Sequence, residues 1–189
     1  MKHVLKPALS LFVIAAITTT LLSFVYTITL DPIESQFRRM QDNVLREIMP
    51  HASRYNELDI QAGGSITRIF EAYNNETLIG YVFELSPNGY SGRINIMAGI
   101  LSEENVLTGI RILSHTETPG LGALAARESF YGQFNGKALN ALSVVKLTNP
   151  REDEIQALTS ATITTNAITQ AVNEAIALYN SGALSGALR

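Results

Sequence analysis

The pattern of hydrophobic and polar positions separates an apolar N-terminal run from a more alternating remainder. Residues 7–30 contain no charged side chain over 24 positions. As a helix rising about 1.5 Å per residue, this run would be roughly 36 Å long, enough to cross a hydrocarbon core of about 30 Å. A cleaved signal peptide has a shorter apolar stretch and ends in a small-x-small site, whereas this run ends in Phe24, Val25, Tyr26 and Leu30. We therefore predict a retained transmembrane helix.

Helical periodicity continues after this run. Residues 33–49 keep their apolar side chains on one face, and Pro50 follows as a stop. The residues on that face are Ile33, Phe37, Met40, Val44, Leu45 and Ile48. We expect an amphipathic stalk helix that packs on the domain. Residues 51–65, with Gly63-Gly64, are expected to form a linker or loop.

Four strand-like segments follow in series. They are Ser65–Tyr73, Thr77–Leu85, Gly92–Leu101 and Val106–Leu113. Turn residues separate them, and Ser102–Asn105 joins the last two as a hairpin. Strands in series indicate a mainly antiparallel sheet.

Helical and strand patterns alternate in the last third of the chain. Ala125–Phe134 is expected to be a short helix, Leu142–Leu147 a strand, and Thr164–Tyr179 a long helix. Together these elements predict an α+β fold in which helices pack on the sheet. The expected parts are a cytoplasmic tail and transmembrane helix, a stalk helix and linker, a ligand-binding domain and a flexible tail, at residues 1–30, 31–62, 63–180 and 181–189.

Composition excludes several kinds of function. The net charge of −3 offers no basic field to nucleic acid. Without cysteine there is no disulfide, thiol nucleophile or protein-bound iron–sulfur cluster. With only His3, His51 and His115 as histidines, a histidine-rich metal site is not expected. Electron transfer by this protein would therefore need an organic cofactor.

A hydroxyl-rich segment precedes the last predicted helix. Residues 158–165 contain four threonines and a serine. One or two of them could cap the helix, since Ser and Thr side chains satisfy free first-turn N–H groups. The alternative is a phosphate site, because a helix N-terminus offers unpaired N–H groups and partial positive charge.

A second candidate segment follows the strand that ends near Leu113. It reads His-Thr-Glu-Thr-Pro-Gly-Leu-Gly over residues 115–122. It could be an ordinary Pro-Gly turn, although a turn needs neither Glu117 nor a second glycine. Two glycines allow positive φ or close approach of a ligand to the backbone. Upstream, Tyr90 stands between Gly89 and Gly92, where it could line a planar ligand or pack in the core.

Taken in order, these segments resemble the FMN-binding domain of the G subunit of the Rnf/Rsx electron transport complex. A relative of that family is the C subunit of the Na⁺-translocating NADH:quinone reductase. The resemblance covers nearly the whole chain, and the string at 115–122 is its most specific part. In the family, the hydroxyl-rich motif reads Ser/Thr-Gly-Ala-Thr, and its last threonine carries FMN through a phosphoester. That residue is Thr162 here.

The sequence departs from the family motif at one position, where Ser160 replaces glycine. If the family's glycine has positive φ or touches the flavin transferase, we expect slower modification. Serine adopts most negative-φ conformations, so we expect attachment to persist. Thr164 is the fallback attachment site. The resemblance implies that the helix N-terminus holds the phosphate and that the 117–122 loop packs against the flavin. The expected cofactor-binding residues are Thr162, Thr159, Ser160, Ala161, Thr164, Thr165, Glu117, Thr118, Pro119, Gly120, Leu121, Gly122, His115 and Tyr90.

The resemblance also implies a function, a location and partners. The chain would be a membrane-anchored electron-transfer subunit of an ion-translocating ferredoxin:NAD oxidoreductase, without catalytic or metal-binding residues of its own. Its partners would be other membrane and peripheral subunits, a flavin transferase that uses FAD, and the lipid bilayer through residues 7–30. The N-terminus would be cytoplasmic and the domain periplasmic or extracellular, in a single-pass inner-membrane protein. Charge alone leaves the orientation tied, because Lys2 and Lys6 precede the span and Arg38 and Arg39 follow it.

Three other interpretations stay open at this point. The chain could be the equivalent FMN subunit of a Na⁺-translocating NADH:quinone reductase. It could be a tethered interaction domain without flavin, whose threonines cap a helix. It could also be a hydrolase that uses a threonine with His115 and Glu117, provided that these groups lie within hydrogen-bonding reach.

Overall fold

A helix of 47 residues, α1 (Lys2–Ile48), opens the structure. The structure is a computed structural model that describes residues 2–60, 62–146 and 148–184. The chain divides into two units, Met1–Asp42 and Asn43–Arg189.

The first unit contains the predicted apolar run. Leu5–Thr29 lies within α1, has a mean hydropathy of 2.2, and is long and apolar enough to cross a membrane. Its large side chains are exposed, as at Leu11 and Phe12. The hydroxyls of Thr18 and Thr20 donate to the carbonyls of Ile14 and Ala16, so these polar groups are satisfied within the helix itself.

The predicted stalk is helical and ends before Pro50, as expected. In the second unit, Val44, Leu45 and Ile48 are buried, whereas Met40 in the first unit is 45% exposed. Met40 is therefore not part of the buried stripe, in contrast to the prediction from periodicity. The side chains of Ile33 and Phe37 lie outside the described part of the structure.

The second unit contains a six-stranded antiparallel sheet with the strand order β1-β2-β3-β4-β5-β6. The strands are β1 (Arg54–Leu58), β2 (Ile66–Asn74), β3 (Thr77–Leu85), β4 (Ile94–Leu101), β5 (Val106–His115) and β6 (Lys137–Ala138). The four predicted strands and the hairpin between β4 and β5 are confirmed. The linker expected at 51–65 is wrong in part, because β1 lies there and pairs with β2. It is short and largely exposed, with no apolar alternation to reveal it.

The remaining elements differ from the expectation in detail. The helix expected at 125–134 is broken into Gly122–Ala126, α2 (Glu128–Tyr131) and Gly132–Phe134. The strand expected at 142–147 is β7 (Ser143–Val145), which pairs in parallel with β8 (Glu154–Gln156), and Leu147 lies outside the described residues. The last helix, α3 (Thr162–Asn180), begins two residues earlier than expected. Leu184 is buried, so the expected flexible tail is packed at its start, and residues 185–189 lie beyond the described range.

The sheet buries both of its faces. On one face, Ile69, Phe83 and Ile96 pack in a core with Ile168 and Val172 of α3. This arrangement confirms the α+β fold with a mainly antiparallel sheet and packed helices.

The last turns of α1 cover the other face. The Ile48 side chain lies over Gly99, where a methyl group would overlap it. The Tyr55 hydroxyl on β1 donates to the carbonyls of Leu45 and Met49, at 2.9 and 3.1 Å. Burial raises the pKa of Tyr55 above its ordinary value, so this hydroxyl remains a donor at neutral pH.

We expect Ile48→Ala to lower the free energy of unfolding of the second unit by about 2–5 kcal/mol, because it opens a cavity over Gly99. The matched control is Met40→Ala in the same helix, which removes an exposed side chain and should change stability by less than about 0.5 kcal/mol. Chemical denaturation of the full chain in detergent measures both. Equal effects of the two substitutions would contradict the packing of this helix end on the sheet.

Candidate functional site

A cleft opens where three loop segments converge on the N-terminal end of α3. Its volume is about 410 Å³, within the usual range for small-molecule sites. The lining residues are Tyr90, Glu117, Thr118, Leu121, Gly122, Ser160, Ala161, Thr162, Ile163 and Thr164. The two motifs and the tyrosine singled out in the sequence therefore meet in one place.

Glu117 lies at the centre of this arrangement. Its side chain is only 6% exposed. Its Oε1 accepts a hydrogen bond from the backbone N–H of Ser91 at 2.9 Å, and its Oε2 accepts one from the Thr164 hydroxyl at 2.6 Å. One carboxylate thus joins the loop before β4, the loop after β5 and the first turn of α3.

The glycines around Glu117 leave room for this carboxylate. A methyl group at Gly122 would overlap both Glu117 Oε2 and the Thr164 hydroxyl. Gly120 has a φ of +77° and turns the chain. The second glycine of the 115–122 segment thus serves close approach, while the first serves a left-handed turn.

The hydroxyls at the start of α3 have different tasks. Thr164 and Thr165 are fully buried. The Thr165 hydroxyl accepts from the N–H of Leu158 and donates to the carbonyl of Ala161, both at 3.1 Å. Thr162 is half-buried and lines the cleft, and its hydroxyl has no hydrogen-bond partner within the described ranges. Thr162 is thus better placed than the fallback Thr164 to present a hydroxyl to a ligand.

The helix N-terminus itself has no side-chain cap. The N-cap residue is Ala161, and no side chain hydrogen-bonds to the first turn as a cap. The first-turn N–H groups therefore lack partners within the helix. This observation contradicts the capping explanation of the hydroxyl-rich segment and leaves donors for an anion.

Ser160 lies in the left-handed region of backbone conformation, with a φ of +62°. This is the positive-φ case, for which slower modification is expected. Such a conformation costs an L-amino acid other than glycine roughly 1–2 kcal/mol. The turn before α3 is thus strained at the position where the family motif has glycine.

Not every predicted residue reaches the cleft. Thr159 and Pro119 are exposed beside it, Gly120 forms the turn, and Thr165 is committed to the helix start. His115 ends β5, and its Nδ1 is buried without a hydrogen-bond partner among the described residues. A threonine–histidine–glutamate hydrolase is not supported, because Glu117 engages Thr164, whose side chain no substrate can reach.

One lining residue was missed by the sequence-based prediction. Ile163 is 56% exposed at the cleft. Its signal was available, because it falls off the apolar face of α3 and yet stands in a hydroxyl-rich segment. Together with Leu121 and Tyr90, which are 41% and 72% exposed, it gives the cleft an apolar mouth.

We expect Ser160→Gly to raise the free energy of unfolding of the unmodified protein by about 0.5–1 kcal/mol, because glycine adopts positive φ without strain. Asn75→Gly is the matched control. Asn75 also has positive φ, at 54°, but asparagine tolerates it, so the gain should be smaller. Denaturant unfolding measures both variants, and a loss of stability in Ser160→Gly would contradict the strained turn.

Thr164→Val should lower the free energy of unfolding by about 1–3 kcal/mol, because it leaves a buried carboxylate oxygen of Glu117 without its donor. The control is Thr162→Val, an equally sized change at a hydroxyl without a described partner, expected to fall within about 0.5 kcal/mol of the wild type. Thermal unfolding distinguishes the two. A neutral Thr164→Val would mean that the Glu117–Thr164 bond does not stabilise the site.

Comparison with known families places these features in context. Residues 89–177 match the family described as "FMN-binding domain", and residues 1–48 match "RnfG N-terminal region". The G subunit of the Na⁺-translocating ferredoxin:NAD⁺ oxidoreductase complex of Acetobacterium woodii is 33% identical, covering 95% of this chain and 93% of its own length. The G subunit of the proton-translocating ferredoxin:NAD⁺ oxidoreductase complex of Clostridium ljungdahlii is 34% identical, covering 85% and 83%.

Among solved structures, the chain is similar to NqrC of Shewanella oneidensis, with a TM-score of 0.48 and 16% identity. That likeness covers 66% of this chain and 65% of the other. It is too distant to carry an argument about function.

Proposed function

The chain belongs to the RnfG family, the G subunits of ion-translocating oxidoreductase complexes, and contains an FMN-binding domain, and on that premise we propose that it is a membrane-anchored electron-transfer subunit whose FMN is bonded through its phosphate to Thr162. The observation that carries the proposal is the cleft at the start of α3. There the half-buried Thr162 hydroxyl meets an uncapped helix N-terminus and an apolar mouth.

The residues present fit FMN at both of its ends. The phosphate end would lie on the first-turn N–H groups of α3, which have no side-chain cap. The exposed side chains of Leu121, Ile163 and Tyr90 offer apolar surface to a flat ring system. The volume of about 410 Å³ suits a ligand with both parts.

The chain's own residues would bind and orient the cofactor. Thr162 would carry the phosphoester, and the exposed hydroxyls of Thr159 and Ser160 would donate to phosphate oxygens. Thr164 is not available for that role, because its hydroxyl donates to Glu117. Thr118, Leu121 and Gly122 would form the wall beside the ring. FMN exchanges one or two electrons, which is the chemistry that this site would supply to the complex.

The N-terminal helix supports a membrane location. Leu5–Thr29 has the length and apolar composition of a span. We propose a single-pass inner-membrane protein with its N-terminus in the cytoplasm and the second unit on the periplasmic or extracellular side. One helix forms no ion path unaided, so ion translocation would require other membrane subunits of the complex.

The relatives' names suggest the reaction in which the subunit takes part. Both are subunits of ferredoxin:NAD⁺ oxidoreductase complexes, one Na⁺-translocating and the other proton-translocating. We propose that this chain passes electrons within a complex of that kind and is not an enzyme by itself. The match of residues 1–48 to the RnfG N-terminal region favours this over the quinone-reductase subunit.

Incubation of the full chain with FAD and a flavin transferase should add the mass of one FMN less one water, and Thr162→Ala should abolish the addition. In this transfer the Thr162 oxygen forms a bond to the FMN phosphorus, the phosphoanhydride bond of FAD breaks, AMP leaves and the hydroxyl proton is released. Intact-mass spectrometry of the detergent-solubilised protein measures the product. Thr77→Ala, which removes an exposed hydroxyl of β3 that does not line the cleft, is the control and should still be modified.

Two outcomes would contradict the proposal in different ways. An unmodified wild-type chain would favour a tethered interaction domain without flavin. Modification that persists in Thr162→Ala would keep the flavoprotein but place the attachment at another hydroxyl.

A further inference from the structure

We propose that Glu117 is the positioning residue of the flavin attachment site: it holds the first turn of α3 against the 89–92 loop and keeps the Thr164 hydroxyl out of the transfer reaction. This inference rests on the proposed function, since it concerns how Thr162 comes to be the hydroxyl that is modified. It assigns Glu117 a role through other residues and not a direct part in electron transfer.

The Glu117 carboxylate accepts two hydrogen bonds from donors that are distant from it in sequence. Ser91 and Thr164 lie 26 and 47 residues away from Glu117 in sequence. Each donor comes from a different wall of the cleft. The Ser91 backbone N–H belongs to the loop that carries Tyr90, and Thr164 belongs to the turn that carries Thr162. Removing the carboxylate would remove both of these hydrogen bonds at once, while the contacts of Ser91 with Thr116 and Thr118, both at 3.4 Å, would remain.

Burying the Glu117 carboxylate costs free energy unless the group is hydrogen-bonded. Glu117 is 6% exposed, and no ion pair joins it to a cation in the described part of the chain. A buried carboxylate without a cation is tolerated only when hydrogen-bond donors satisfy it. The chain also leaves space for the carboxylate, because a methyl group at Gly89 or Gly122 would overlap its oxygens. The backbone around Glu117 therefore leaves space for a side chain with two acceptor oxygens.

The hydrogen bonds of the threonines at the start of α3 determine which hydroxyl remains available for modification. The inner pair, Thr164 and Thr165, is buried and hydrogen-bonded, to Glu117 and to the backbone respectively. Thr162 is left as the threonine that lines the cleft with its hydroxyl uncommitted within the described ranges. Glu117 therefore contributes to site selection by occupying the competitor two residues along the helix.

Two substitutions of Glu117 separate the effect of side-chain length from the effect of charge. Glu117→Gln removes the charge but keeps the length: its amide oxygen accepts from Ser91, and its NH₂ group donates to the Thr164 oxygen. The Thr164 hydrogen then turns to a helix carbonyl, as threonine commonly does. Glu117→Asp keeps the charge but is one methylene shorter, so it cannot reach both donors.

The test is the initial rate of FMN incorporation into the full chain in detergent, with FAD and flavin transferase, followed by intact mass and by peptide mapping of the modified residue. Glu71→Gln and Glu71→Asp are the matched controls. Glu71 is another buried carboxylate, 3% exposed, which accepts from the Tyr73 hydroxyl and does not line the cleft. Amide hydrogen exchange at Ser91 in the unmodified protein provides a readout independent of the flavin.

We expect Glu117→Asp to lower the incorporation rate about tenfold or more, since small displacements of a reacting group have effects of that size. It should also speed exchange at Ser91 and yield some modification at Thr164. Glu117→Gln should restore most of the rate and protection, and both Glu71 variants should react like the wild type.

A fast Glu117→Asp together with a slow Glu117→Gln would overturn the inference, because charge and not reach would then matter. Unchanged Ser91 exchange in Glu117→Asp would overturn it as well. If Glu117→Asp does not fold, the FMN incorporation rates of Glu117→Gln and Glu71→Gln are compared. A slow Glu117→Gln beside a Glu71→Gln that reacts like the wild type would contradict the inference. Failure of the wild-type chain to take up FMN would instead overturn the proposed function.

Discussion

A carboxylate buried without a cation needs hydrogen-bond donors, and this requirement at Glu117 organises the cleft. The donors come from Ser91, in the loop before β4, and from Thr164, in the first turn of α3. Neither segment has regular backbone pairing to the other, so the carboxylate supplies the link between them. The close approach explains why the chain has glycine at 89 and 122, where any side chain would displace the carboxylate oxygens. Ligand-binding surface is thus assembled around one polar side chain.

The sheet makes this arrangement possible by holding its parts in register. Antiparallel pairing of β4 and β5 sets Ile94 opposite His115, so the loops that precede β4 and follow β5 lie at the same end of these strands. Packing of Ile168 and Val172 on the sheet brings the start of α3 to that end of the strands. The opposite face is occupied by the last turns of α1. The site therefore depends on the core on one face, while the other face receives the helix that follows the apolar run.

The local sequence pattern predicted secondary structure correctly where one hydrophobic periodicity dominated. It failed where contacts between segments distant in sequence determine the conformation. The apolar run, the four long strands and the last helix follow from hydropathy with a period of about 3.6 or 2 residues. The sequence pattern did not predict strand β1, because an exposed edge strand needs no apolar alternation, only a partner such as β2. The φ of Ser160 could not be predicted from its residue type either, since the turn into α3 imposes the positive value. The glycine of the family motif was the signal at this position.

The sequence by itself determined the α+β class, the candidate membrane helix, the family and most of the residues that line the cleft, because periodicity and short motifs are local properties. Only the tertiary structure decided what each hydroxyl does. Thr162, Thr164 and Thr165 look alike in the chain. Thr162 presents a hydroxyl at the cleft that has no partner within the described ranges, whereas Thr164 and Thr165 are fully buried and donate hydrogen bonds. Their difference arises from the direction of each side chain around the first turn of α3 and from the arrival of Glu117, 47 residues away from Thr164. Burial and partner choice are set by that packing.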